Sequence, residues 1–536
     1  MLVALRDLPE GAEISFEGES YRLPGGVRAK HKIATRDLAP EDPVVMYGVL
    51  VGRAVQPIPR GGALSTDNLV HAASDFGAAR SRYAWSPPDV SRWRERRFLG
   101  YHRSDGQVGT ANHWLVIPLV FCENRNVAAL EEAFRKELGY ARPETYRQQV
   151  AELVRRHREG AGPEQLRGLA AQAPPPDAVQ EPVFPNVSGI QFLTHDGGCG
   201  GTREDSRALC SLLAGYIKNP NVAGATVLSL GCQNAQIELL REELARKGVA
   251  DKPLLVFEQQ KAPSEFAMLT RAIGETFAAL QEADRVDRRP APLSELTIGV
   301  ECGGSDGFSG ISANPAIGRV SDLVVALGGR AVLSEFPELC GVEQDLVDRC
   351  VSPEVADRFI RLMRSYAERA AALGAGFDMN PSPGNIRDGL ITDAMKSAGA
   401  ARKGGTSPVT GALGYPEYAT ERGLNLLCTP GNDVESTTGL AGAGANVILF
   451  STGLGTPTGN PITPVLKIST NTSLARRLPD IIDFDAGPIV TGERGIEETG
   501  DELLELVISV ASGELRPKAV RLGQTDFIPW KRGISL

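Results

Sequence analysis

Residues 224–248 read GATVLSLGCQNAQIELLREELARKG. An apolar run with β-branched residues stops at Gly231-Cys232-Gln233-Asn234, and a long amphipathic stretch follows and ends at Gly248. That is a buried strand, a turn and a helix, one βα unit. The same grammar surrounds it. WLVIPLVFC (114–122) leads into NVAALEEAFRKEL (126–138), GIQFLTH (189–195) into SRALCSLLAGYI (206–217), and PLLVFEQ (253–259) into SEFAMLTRAIGETFAALQEA (264–283). Repeated βα units predict a largely parallel sheet covered by helices.

After Arg288-Arg289-Pro290-Ala291-Pro292 a second set begins, with ELTIGVEC, GGRAVLSEF, NLLCTP and NVILFST as strands and VEQDLVDRC, EVADRFIRLMRSYAERAAAL and DELLELVISVASG as helices. Residues 1–75 differ: short alternating runs broken by Pro or Gly every few positions predict a small β-rich module. The expected organisation is a β-rich domain over 1–75, a linker over 76–97, an α/β domain over 98–290 and an α/β catalytic domain over 291–536. The stretch from about 141 to 183 reads as a helical excursion ending in a Pro-rich loop. No internal sequence repeat is read beyond the shared βα grammar.

The 536 residues carry 57 Lys+Arg against 66 Asp+Glu, a net charge of −9, and 42% of them are apolar. An acidic chain without a clustered basic face excludes a nucleic-acid footprint. The densest basic run, RWRERR (92–97), contains an acid and reads as a solvated linker. No stretch approaches the roughly 18 apolar residues that span a bilayer, and the N-terminus lacks secretory features, so a cytoplasmic protein is expected. Eight scattered cysteines in a reducing compartment then mean core packing, metal ligation or catalysis.

Chemistry concentrates where strands end. GIQFLTH runs into Asp196-Gly197-Gly198-Cys199, VLSLG into Cys232-Gln233-Asn234, TIGVE into Cys302-Gly303-Gly304-Ser305-Asp306, and AVLSE into Phe336-Pro337-Glu338. In a parallel sheet these turns share the end at which ligands bind. Cys122, Cys199, Cys232 and Cys302 therefore stand out, whereas Cys210, Cys340, Cys350 and Cys428 read as structural. His195 reads as a ligand, a base or a strand-end hydrogen bonder, and His31 sits between two lysines that attract a carboxylate. Asn380–Asn385 and Lys403-Gly404-Gly405-Thr406 form polar loops suited to hydroxylated ligands. Gly453, Gly455 and Gly459 lack the spacing of a dinucleotide loop.

Together GYHRSDGQVGTAN, THDGGCGG, ECGGSDGFSGISANPAIGRVSDL, GGRAVLSEFPEL, NPSPGN, KGGTSPVTG, TPGNDVESTTGLAGAGAN and LKISTNT resemble the altronate/galactarate dehydratase family over essentially the whole chain. The first 75 residues are similar to the SAF-type module of that family. The resemblance implies a hydro-lyase that converts a small-molecule sugar acid to a 2-keto-3-deoxy acid, dependent on Fe2+ or another divalent metal such as Mn2+. It implies His195 or Lys403 as base, and one iron held by His195, Glu335 and a cysteine. A [4Fe-4S] cluster drawing on Cys122, Cys199, Cys232 and Cys302 is the rival. His31, Asn112, Ser305, Asp306, Asn385, Thr406 and Asn471 are the substrate-binding residues expected from the matching motifs. Two departures stand out. Ser65 and Asp67 occupy positions where the family's module usually offers histidines, and Ala111-Asn112 follow Gly109-Thr110 where the family has Arg. A sulfo-lyase acting on a sulfonated hydroxy acid, a dinucleotide-dependent oxidoreductase and a non-catalytic carbohydrate-acid binder are the competing functions; a homodimer with no nucleic-acid or membrane partner is expected.

Overall fold

The computed structural model describes residues 1–141, 145–169 and 181–536. Seven parallel strands form the main sheet, in the order Val409–Leu413, Gly423–Leu427, Arg330–Leu333, Thr297–Cys302, Val447–Thr452, Val465–Ser469 and Phe484–Asp485. Their near-continuous apolar composition matches burial on both faces. Helices Ala313–Ala326 and Ile496–Ala511 pack together on one face, and helix Asp433–Gly442 lies across the other. From the central strand Thr297–Cys302 the chain first builds outward to one side and later returns to the other at Val447–Thr452. The carboxyl end of Thr297–Cys302 is therefore a topological switch point, the place where such sheets open a crevice.

A second parallel sheet has the order Gly189–Phe192, His113–Pro118, Val222–Ser229 and Leu254–Glu258. It docks on the first through helices Arg203–Lys218 and Asp433–Gly442, which cross so closely that a Cβ on Gly215 would lie 2.1 Å from the carbonyl oxygen of Gly442. A small antiparallel sheet of Arg289–Pro292, Arg97–His102 and Val108–Gly109 joins the two units. The Pro-containing stretch read as a break is thus a strand, tolerated because it forms the sheet's edge. Helices Thr145–Arg158 and Pro163–Arg167 supply the helical excursion; its Pro-rich loop at 171–180 lies outside the described residues.

The N-terminal module is built from short antiparallel pairs and is a duplication that the sequence reading missed. Arg6-Asp7-Leu8 recurs as Arg36-Asp37-Leu38. Leu8 bridges Val27 as Leu38 bridges Ile58, and Asp7 accepts from the Ala29 amide as Asp37 does from that of Arg60. Glu17-Gly18 and Tyr47-Gly48 form matching turns at positive φ. At the end of each half the chain turns a left-handed corner, at Lys30 (φ 73°) in the first and Gly61 (φ 82°) in the second.

The linker lies along the seven-stranded domain rather than in solvent. Trp93 is buried and its Nε1 donates to Glu505, which also pairs with Arg92 and Arg96. No helix among the described residues is long and apolar enough to cross a membrane.

Candidate active site

At the switch point, five side chains from separate segments meet. Cys302 ends the central strand, Glu335 and Glu338 follow strand Arg330–Leu333, Lys396 comes from helix Asp393–Ala400, and Lys403 from the turn after it. Lys403 Nζ lies 2.6 Å from Glu335 Oε2 and 2.8 Å from Cys302 Sγ. Lys396 Nζ lies 2.6 Å from Glu338 Oε1, and the Cys302 thiol donates to Glu338 Oε2 at 3.3 Å. Glu335 adopts the left-handed conformation, φ 66° and ψ 59°, rare for a residue with a side chain. Its backbone N–H is held by Thr429 Oγ1 at 2.8 Å, so the surrounding structure fixes the strained turn.

Electrostatics follow from burial and pairing. Burial pushes the Cys302 thiol well above its usual range, with the Glu335 and Glu338 charges adding to it. Burial alone would lower Lys403, but Cys302, Glu335, Glu338 and Glu301 hold it well above the ordinary lysine value. Glu338 is opposed by burial yet kept low by Lys396 and Lys403, while burial and Glu338 raise Glu335. Glu301, deeper in the same strand as Cys302, is pushed well up by burial and Glu335 and hydrogen-bonds to Ser334 and Ser436.

Beside this ion cluster stand two groups set near neutrality. Burial, with Glu335 and Glu338, raises Asp433 to about 7; burial lowers Lys467 to about 7. Asp433 opens helix Asp433–Gly442 and remains partly exposed. Lys467 Nζ sits 3.4 Å from the Phe450 ring centroid and has no hydrogen-bond partner among the described residues. Gly303 joins them: a Cβ there would lie 2.1 Å from Asp433 Oδ2 and 2.6 Å from Phe450 Cζ.

The N-terminal module closes over this end. Lys30 pairs with Asp306 at 3.0 Å and Asp388 at 2.8 Å, His31 Nε2 meets the Arg387 carbonyl at 3.1 Å, and Lys32 donates to the Gly389 carbonyl at 2.5 Å. Between module and ion cluster remains a cavity of about 10 Å³, lined by Lys32, Tyr47, Ser305 and Lys396 among others.

Of the residues expected from sequence, Cys302, Glu335 and Lys403 are brought together, and Ser305, Asp306 and His31 lie at the adjoining seam. Ser305 Oγ is buried with no partner among the described residues. Asn385 closes the seam through its Nδ2 bond to the Ser305 carbonyl. Asn471 caps helix Thr472–Arg477, and Thr406 is exposed and binds Asp322 and Trp85. Asn112 lies at the amino end of its strand, away from the ligand end, with its amide spent on Arg103, Asn186 and Ala283. His195 lines a cavity that also reaches Glu435, in the helix that Asp433 opens. It belongs to the four-stranded sheet, with Nε2 bonded to the Pro118 carbonyl at 2.8 Å and Nδ1 accepting from the Gly197 N–H at 3.1 Å, so neither nitrogen is free for a metal or a proton. Lys403 is held above the ordinary lysine value by its acidic neighbours, which places it as a cation in this arrangement. Cys122, Cys199 and Cys232 follow strands of the four-stranded sheet, as His195 does, whereas Cys302 ends a strand of the seven-stranded one. Glu338, Lys396, Asp433, Lys467, Glu301 and Lys30 were not among the expected site residues. A Glu and a Lys inside the otherwise apolar strands TIGVEC and VLKIS were the available signal, because a buried parallel strand has no solvent face for a charge.

Among the described residues, two groups of at least three His, Cys, Asp or Glu side chains bring ligand atoms within 4.8 Å of one another: Cys302, Glu335 and Glu338, and His71, Cys340 and Asp393. The second gives Cys340 polar company that the sequence did not reveal.

Family models match the chain in three consecutive parts: the altronate/galactarate dehydratase SAF domain over 1–72, the D-galactarate dehydratase/altronate hydrolase second domain over 100–284, and the D-galactarate/altronate dehydratase C-terminal domain over 293–535. Altronate dehydratase of Bacillus subtilis (strain 168) is 33% identical over 543 residues, covering 100% of this chain and 98% of that protein. Galactarate dehydratase (L-threo-forming) of Escherichia coli (strain K12) is 30% identical, covering 90% and 86%. The (2R)-sulfolactate sulfo-lyase subunit beta of Chromohalobacter salexigens is 28% identical over 81% of this chain and 97% of its own. With its modules in the same order and its full length matched, the chain belongs to the altronate/galactarate dehydratase family.

Proposed function

We propose that this chain is a hydro-lyase that removes water from an aldonate or aldarate to give a 2-keto-3-deoxy acid, at the buried centre around Cys302. The observation that carries this reading is the convergence of Cys302, Glu335 and Glu338 with Lys396 and Lys403 at the carboxyl end of the central strand, with Asp433 beside them at Gly303. A proton α to a carboxylate is very weakly acidic, so its removal needs fixed positive charge against the developing enediolate, a base, and an acid for the departing β-hydroxyl. Lys396 and Lys403 supply the positive charge. Asp433, partly exposed and raised toward neutrality, takes the proton; Lys467, lowered toward the same range and seated on the Phe450 ring, returns one.

Cys302, Glu335 and Glu338 fit a divalent ion such as Fe2+. A thiol and two carboxylates converge, and Glu335 Oε1 is buried without a hydrogen-bond partner among the described residues. When bound, such an ion supplies Lewis-acid stabilisation of negative charge on substrate oxygens. Lys403 and Lys396 occupy the same donors, so ion binding and these ammoniums compete. The 10 Å³ cavity holds about one water, so a sugar acid needs the seam at Lys30, Asp306 and Asp388 to open.

The test is an anaerobic assay of the iron-loaded full chain against C5 and C6 aldonates and aldarates and against (2R)-sulfolactate. A 2-keto-3-deoxy acid from at least one sugar acid is expected. Sulfite release from sulfolactate with no keto acid from any sugar acid, or turnover of nothing in the panel, overturns the proposal.

A further inference from the structure

We infer that Cys122, Cys199 and Cys232 form a binding site for an iron–sulfur cluster in the four-stranded domain, separate from the charge centre around Cys302. All eight cysteines are free, and these three alone are exposed; Cys210, Cys302, Cys350 and Cys428 are buried and Cys340 is intermediate. A free cysteine that only packs is a buried one, so core filling accounts for the buried thiols and not for this set.

The three follow neighbouring strands of one parallel sheet. Cys199 lies beyond Gly189–Phe192, Cys122 beyond His113–Pro118 and Cys232 beyond Val222–Ser229, and these strands stand side by side in that order. Adjacent strands are about 4.8 Å apart, so the three cysteines stand on loops that leave neighbouring strands. The loops are bonded to one another: the Phe121 N–H donates to the Gly197 carbonyl at 3.1 Å and the Ala235 N–H to the Gly198 carbonyl at 2.9 Å. Gly198, at φ 98°, lets the Leu119 carbonyl approach to 2.0 Å from where a Cβ would stand. His195 braces the same loop through Pro118 and Gly197.

Thiolate sulfur selects iron–sulfur clusters, Zn2+ and Cu(I) among biological metal groups. Three protein thiolates are one fewer than a cubane's four irons, leaving one iron for a non-protein ligand. A cavity of about 430 Å³ adjoins Cys199 and is lined by Asp196, Asp205, Glu435 and Lys531 among others, with room for an oxygen-bearing ligand on that iron. On binding, each thiol gives up its proton as its sulfur bonds to iron. The inference stands independently of the dehydration proposed above.

The experiment is anaerobic reconstitution of the full chain with equal amounts of ferrous and ferric iron and with sulfide, followed by gel filtration, iron and acid-labile sulfide determination and visible absorption. About four iron and four sulfide per chain are expected, falling at least fivefold in Cys199→Ala and Cys232→Ala and unchanged in Cys428→Ala. Near-identical circular dichroism of the variants separates ligand loss from misfolding. Iron without sulfide, stoichiometric zinc in its place, or sulfide that survives both cysteine substitutions overturns the inference.

Discussion

Asp433 and Lys467 tie stability to pH with opposite slopes. An acid whose folded value is raised binds more protons in the native state, so its contribution falls as pH climbs from the unfolded carboxylate range, about 4, to about 7. A lysine whose folded value is lowered binds fewer, so its contribution rises from about 7 toward the ordinary value. Together they place a stability minimum near neutrality, where both change charge. Asp433→Asn removes the descending slope. The melting temperature of this variant relative to the parent is expected to be higher at pH 8 than at pH 5, while kcat falls by about 10²-fold or more. A difference from the parent that is the same at both pH values would sink the assignment of a raised Asp433. Cys302, Glu335 and Lys403 were legible in the sequence because each sits at a strand end or in a Gly-rich turn. Asp433 and Lys467 were not, since what sets them near neutrality is burial supplied by distant segments.

Strands announce themselves by composition, and the four read from ELTIGVEC, GGRAVLSEF, NLLCTP and NVILFST are all present and parallel. Three were missed: Phe484–Asp485 is two residues long, Val409–Leu413 is an edge strand that contains a glycine, and Val465–Ser469 is an interior strand interrupted by Lys467. The module's duplication escaped for another reason. Its halves share turn conformations and bridge positions, while little beyond Ala-x-Arg-Asp-Leu and a turn glycine survives as common sequence. At this scale the end of strand Thr297–Cys302 is the sensitive point. Gly303→Ala inserts a methyl group 2.1 Å from the present position of Asp433 Oδ2 and must displace that carboxylate. A loss of about 10²-fold in kcat/KM is expected, the cost of an ångström-scale misplacement. Activity within twofold of the parent would remove Asp433 from the reaction.

Module and C-terminal domain share an apolar core, with Met46 and Val51 in one cluster with Ile391 and Met395, and polar contacts cross the same seam, including His71 with Asp393. The bond to Asp393 raises His71 above its ordinary value against the opposing effect of burial. A raised histidine contributes fully below its unfolded value and loses its contribution as pH rises through the folded one. Limited proteolysis in the linker is therefore expected to accelerate between pH 6 and pH 8.5 in the parent and to be fast at both in His71→Ala. A variant retaining the parent's pH dependence would show that another group holds the module. The sequence foresaw the linker but not its path, because Trp93 and Glu505 are 412 positions apart.

The duplicated module also divides its labour. Where the second half turns its left-handed corner on Gly61 without penalty, the first half turns it on Lys30, a backbone conformation that costs a residue with a side chain about 1–2 kcal/mol. That cost gives an ammonium held out toward Asp306 and Asp388. One copy keeps the economical corner and serves as scaffold; its twin has become a handle by which the catalytic domain grips the scaffold.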